Sequence, residues 1–168
     1  TGANAASANN TINVSSSSNA TLRFSTAFNI SSNSGAAGFG DATIFNLTDA
    51  NVILNGLSHA AATLNGGIVV NSATGNSLTL NGNLLTNNNR TLFATVNSGT
   101  LNLNNTVTTS GGANGGFNVN LNGGTLNLLS AGAISSYGNT AGLKIAGGVL
   151  NNTSGAALTM TPNSPTTI

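Results

Sequence analysis

The sequence predicts an all-β chain wound as a parallel β-helix, a β-solenoid of three strands per coil, about 24 residues per coil and about seven coils. Three observations point there. Apolar and polar residues alternate in short runs, as in Thr100-Leu101-Asn102-Leu103 and Thr125-Leu126-Asn127-Leu128, so the leucines share one face of an extended strand. These runs return at a nearly fixed interval: Leu54, Leu78, Leu101, Leu126 and Leu150 lie 24, 23, 25 and 24 residues apart. No helical period is sustained, and the content of Asn, Gly and β-branched residues disfavours helix throughout.

Two further apolar series fall on the same grid: Phe45, Val69, Phe93, Val119, Leu143, and Leu57, Leu84, Val107, Ile134, Leu158. Three series per period imply three strands per coil, each paired in parallel with its counterpart one coil later at the ~4.8 Å spacing of any sheet. The series beginning at Leu54 and at Phe45 are expected to form the core ladder. Asparagines follow the leucine series at Asn55, Asn81, Asn104, Asn127 and Asn151, where the chain is expected to turn. Asn tolerates left-handed backbone geometry and its amide can bond the next copy of itself, so these five are expected to form a turn ladder. Gly56, Gly82, Gly99, Gly124 and Gly148 are expected at corners where a side chain would strain.

Residues 1–40 follow the grid least. Strand-like pieces at 11–14, 21–24 and 28–30 are separated by a serine run at 15–18 and a Gly/Ala-rich loop near 35–40. This part reads as an irregular N-terminal cap, a first coil, or an arm that links to a neighbouring subunit through an exposed strand edge. Residues 41–160 carry the coils, and residues 161–168 form a C-terminal tail. The only prolines, Pro162 and Pro165, stand there, and proline ends strand pairing because it lacks a donor. The chain begins at Thr1 without an initiator methionine, which leads us to expect a processed chain or an excerpt.

Composition narrows the function classes. Charged residues are only 3% of the chain, against about 25% in an ordinary soluble protein. Asn (31), Thr (23), Ser (19) and Gly (22) supply the polarity instead. A net charge of +1 offers no basic footprint for nucleic acid. No apolar run reaches the ~18 residues of a membrane-crossing helix, so no membrane span is expected. With no cysteine there is no disulfide, no thiol nucleophile and no thiolate metal site.

The inventory for catalysis is Asp41, Asp49, His59, Tyr137, Arg23, Arg90 and Lys144. Asp41 and Asp49 could bind a cation or act as a carboxylate pair, and His59 could join one of them and a serine in a triad. Two acids without further clustering read better as solvated loop residues, and no Gly-x-Ser-x-Gly elbow is present. No catalytic residue, metal site or cofactor is expected. Nine Asn-x-Ser/Thr sequons, four of them before residue 30, are no more than this composition gives by chance. The Thr-x-Thr pairs 106/108 and 159/161 raise ice binding, but they are too few and not on adjacent coils.

The segments Gly123-Gly124-Thr125-Leu126-Asn127-Leu128 and Ser98-Gly99-Thr100-Leu101-Asn102-Leu103, with the more worn Gly147-Gly148-Val149-Leu150-Asn151, resemble the autotransporter-associated β-strand repeat. The likeness covers roughly residues 63–152. More broadly the chain is similar to the β-helical passengers of autotransporters and of filamentous-haemagglutinin-like adhesins. The resemblance implies a right-handed β-helix displayed outside the cell. The expectation is therefore a non-catalytic extracellular structural or adhesive solenoid at the cell surface, a filament subunit or the stalk of a longer protein. Its partners would be further copies of itself stacked head to tail through the solenoid ends, with contact to a glycan or a host surface. The alternatives are a polysaccharide-binding or polysaccharide-degrading β-helix module and, more remotely, an ice-binding protein.

Overall fold

Alternating and wholly apolar segments become strands, and in the computed structural model every strand pairing is parallel. The structure describes residues 10–30, 42–59, 66–73, 75–86, 91–109, 116–130, 133–134 and 143–157. The strands are β1 (Asn10–Phe24), β2 (Phe28–Ile30), β3 (Ala42–Leu54), β4 (Leu57–His59), β5 (Gly66–Ser72) and β6 (Ser77–Thr86), followed by β7 (Thr91–Val96), β8 (Thr100–Thr109), β9 (Gly116–Leu121), β10 (Thr125–Leu128), β11 (Leu143–Ile145) and β12 (Val149–Asn152). There is no helix among the described residues. The sheet runs β11-β9-β7-β5-β3-β6-β8-β10-β12, with β1 on β3 and β2 on β4 beside that path. The order pivots on β3 because it passes through a corner: its first half pairs with β5 and its second half with β6. Strands that follow one another along the chain thus lie on different faces, while residues one winding apart lie side by side. The result is a β-solenoid.

Residues 10–30 belong to this stack. β1 pairs with both halves of β3, from Asn10 beside Thr43 to Phe24 beside Leu54, and β2 pairs with β4. The register of β1 shifts between Ser15 and Ala20, where the serine run makes a wider corner than the one it faces. There Ser16 Oγ accepts the amides of Ser18 and Ala20 at 3.1 and 3.2 Å.

Columns of equivalent residues run through the core, though not always those of the arithmetic grid. Leu78, Leu101, Leu126 and Leu150 are in register, and the column begins at Leu22 and Val52. Leu54 stands beside Leu80 and not Leu78, an offset of two residues that leaves it on the inner face. One extra residue lies in the corner before Ser77, since partners are 25 residues apart at Leu47 and Ser72 and 26 apart at Val52 and Leu78; Asn76 is buried in that corner and its Nδ2 donates to the Leu47 carbonyl.

The series beginning at Phe45 needs a larger correction. Phe45 pairs with Val70, Val69 with Ile44 and Thr95, and Phe93 with Gly67 and Asn118. A slip of one residue exchanges inside for outside in a strand. Val69 and Phe93 are accordingly half-buried on the outer face, while Ile68, Val70, Leu92, Ala94 and Val96 fill the interior. Both segments carry three apolar residues in a row, so their sequences do not mark which of them points inward. Val119 and Leu143 do share a column and are buried.

Leu57, Leu84 and Val107 are also in register, and Ile134 lies in the core. Leu158 lies outside the described residues. Near the N-terminal end Phe28 meets Phe24 edge-on at 5.6 Å between centroids and Phe45 at 5.7 Å.

One corner column needs a backbone that glycine adopts most easily. Gly99, Gly124 and Gly148 stand at φ of +75°, +67° and +90°, each immediately before a strand. The Gly99 carbonyl accepts the Thr125 amide and the Gly124 carbonyl the Val149 amide, both at 2.8 Å. A Cβ on Gly124 would collide with the Gly99 carbonyl oxygen, and one on Gly148 would lie 2.6 Å from that of Gly124. Gly56 and Gly82 also stand at positive φ, +150° and +74°, with Gly82 close against the Asn55 carbonyl.

Candidate functional site

The outer surface is organised by side-chain amides. Outward positions on neighbouring parallel strands are close enough for one Asn to donate to the next. The longest such column runs Asn13, Asn46, Asn71, Asn97, Asn122. Asn46 Nδ2 donates to Asn13 Oδ1 at 2.8 Å, Asn71 to Asn46 at 3.2 Å, Asn97 to Asn71 at 2.9 Å and Asn122 to Asn97 at 3.0 Å. A second column lies on the face made by β6, β8, β10 and β12. Asn151 donates to Asn127 at 3.0 Å, Asn127 to Asn102 at 2.7 Å, and Asn102 to Thr79 Oγ1 at 3.1 Å. Shorter links join Asn104 to Asn81 at 3.2 Å and Asn51 to Asn19 at 3.0 Å. In every one of these Asn–Asn bonds the Nδ2 belongs to the later residue in the chain, so the amides share one direction along the solenoid.

The expected turn ladder is therefore split. Asn81 bonds Asn104 and Asn127 bonds Asn151, but Asn104 and Asn127 belong to different columns. Asn127 and Asn151 sit within β10 and β12 and not at corners. Asn55 accepts a 3.4 Å bond from Arg23 Nη1. The ladder from Asn13 to Asn122 was missed although its signal is visible. Each member directly follows an inward apolar residue (Ile12, Phe45, Val70, Val96, Leu121), and successive members from Asn46 onward are 25, 26 and 25 residues apart.

One later corner places an asparagine where the preceding winding has Gly82. Asn105 is buried there, its Nδ2 donating to the Ala133 carbonyl at 3.1 Å and its Oδ1 without a partner. An unmade bond of this kind costs about 1–3 kcal/mol.

The titratable inventory is only partly placed. Asp49 is exposed at a corner with φ of +49°, and Arg23 and Lys144 are exposed. Asp41, Arg90 and Tyr137 lie outside the described residues, as do the side chain of His59 and the Thr-x-Thr pair 159/161. Among the described residues no three His, Cys, Asp or Glu side chains come together to hold a metal ion. No helix among them is long and apolar enough to cross a membrane.

The two ends differ from the middle. Leu22 is 44% exposed, whereas Val52, Leu78, Leu101 and Leu126 in the same column are at 0%. Ile12, Val14, Phe24 and Phe28 are also only half-buried. At the other end Ile145 and Leu150 are half-buried, although the residues they stack on, Leu121 and Leu126, are fully enclosed. Each end thus shows inward-column apolar groups and a strand edge with no neighbouring strand among the described residues. No family model, curated protein or solved structure matches the chain.

Proposed function

We propose that the chain is a non-catalytic structural or adhesive β-solenoid that works outside the cell as a filament subunit or as the stalk of a longer surface protein. In this reading it winds with three strands per coil, about 24 residues per coil and about seven coils. It is related in kind to the autotransporter-associated β-strand repeat and the β-helical passengers. The strand Thr125–Leu128, which carries that likeness, stacks in register on Leu101 and its neighbours and under Leu150.

The observation that carries the reading is the contrast between a fully enclosed middle and, among the described residues, end windings whose inward apolar side chains stay partly exposed. Inside, each winding covers its neighbours, and nearest-neighbour contacts of this kind make stability additive along a rod. Outside, the surface is columns of amides and hydroxyls with scattered charge. A rod whose ends match in spacing and strand direction joins head to tail, and contacts that do not close propagate into filaments. Contact with a glycan or host surface belongs to the same reading, through the polar outer columns. Negative-stain electron microscopy and sedimentation of the purified protein test it: rods longer than one chain that grow with concentration are expected, and dispersed monomers would remove the filament.

A further inference from the structure

We infer that the two ends form a specific joint in which β12 of one copy lies in parallel register against β1 of the next, Leu150 beside Leu22 and Asn151 beside Arg23. This rests on the end-to-end reading above and names its partner, a second copy of this chain, and its register.

The column bookkeeping fixes the alignment. One inward column runs from Leu22 through Val52, Leu78, Leu101 and Leu126 to Leu150. Continued by one more winding, it meets Leu22 of the next copy, an inward leucine that is 44% exposed at its own end. On the other face the column Ile12, Phe45, Val70, Val96, Leu121, Ile145 returns to Ile12 in the same way. Both joins place an aliphatic side chain on an aliphatic side chain that is enclosed everywhere else in its column.

Hydrogen-bond direction selects head to tail over a symmetric dimer. In the outer column Arg23, Ile53, Thr79, Asn102, Asn127, Asn151, each amide donates toward the N-terminal end. Asn151 therefore ends the column with its Oδ1 as the last acceptor. The first residue of the column, Arg23, is a side chain with donors and no acceptor. Acceptor meets donor when the ends join in series. A two-fold dimer through β1 would instead run two strands antiparallel, which breaks the continuation of the parallel columns and leaves the Asn151 acceptor unused at the far end. The wide serine corner between Ser15 and Ala20 lies between the two matched stretches and can bulge aside, as it does against β3.

The test uses two variants that each spoil one end, Leu22→Asp and Leu150→Asp, in the 168-residue chain. Each alone is expected to lose all polymer and sediment as a monomer. Mixed in equal amounts they are expected to form a dimer and stop, because only the intact C-terminal end of the first and the intact N-terminal end of the second remain. A Leu150→Asp protein that dimerises alone would overturn the joint in favour of symmetric β1 pairing. The register is read by Arg23→Cys with Asn151→Cys in a chain that has no other thiol. Parallel neighbours at ~4.8 Å lie within the about 4.4–6.8 Å a disulfide spans, so mild oxidation is expected to give a covalent ladder of multimers, with each single variant giving none. If the unaltered protein polymerises but the mixed variants stay monomeric or the cysteines do not join, this joint is wrong and the filament reading stands. If the unaltered protein is monomeric at every concentration, both fall.

Discussion

The same corner of the solenoid is built in two ways. In the later windings it is a glycine immediately before the strand, Gly99, Gly124 or Gly148, whose carbonyl or amide neighbours are held at short range by the next turn. In the earlier windings the left-handed residue stands one place further back and is Asn19, Asp49 or Gly75. The tight corner allows no insertion, so the strands that follow keep one register from Leu101 to Leu150. The wide corner takes up extra residues, which shifts register between Ser15 and Ala20 and adds one of the two residues that set Leu54 beside Leu80. Corner geometry, more than strand composition, sets how faithfully this chain repeats.

Breaking the tight half should have the largest effects. Leu126→Asp places an uncompensated charge in a fully enclosed column, and is expected to cost about 4 kcal/mol or more and abolish cooperative unfolding in thermal denaturation. Gly124→Ala combines a left-handed backbone with a backbone clash. It is expected to cost about 3 kcal/mol, read as a lowered denaturation midpoint with unchanged slope, whereas Gly75→Ala, with nothing within 4 Å of its Cβ, costs only the backbone strain of about 1–2 kcal/mol. Asn71→Ala interrupts the longest amide column at its centre and removes two side-chain bonds at a half-buried site, for about 1 kcal/mol by denaturant titration. At the small end, Asp49→Gly relieves a left-handed non-glycine residue on an exposed corner, and a change within about 1 kcal/mol is expected, on the stabilising side. A loss of several kcal/mol there would mean that the Asp49 side chain holds the wide corner together.

The comparison also shows what a single sequence can carry. The parallel solenoid was legible because Thr-Leu-Asn-Leu strands alternate cleanly behind a fixed glycine, and Leu78, Leu101, Leu126 and Leu150 follow from that pattern. The left-handed glycines were legible for the same reason. The position of Val69 and Phe93 was not, because three consecutive apolar residues leave the inward parity undefined until a neighbouring strand sets it. Nor was the membership of the amide ladders. Asn is so abundant that spacing alone pairs Asn104 with Asn127, and only register separates Asn102 from Asn104. That Leu22 leads the column that Leu150 closes was not legible either, because it takes the register of β1 on β3 and of β12 on β10 to show it.

The most direct test of the stacked-column architecture is a pair of double cysteine variants within one chain. Asn102→Cys with Asn127→Cys joins two side chains now linked at 2.7 Å across neighbouring strands, and Asn104→Cys with Asn127→Cys joins two that the even repeat would pair. Oxidation at high dilution, followed by peptide mapping, is expected to give an intrachain disulfide in the first and none in the second. A bond in the second and not the first would contradict the register on which every column depends.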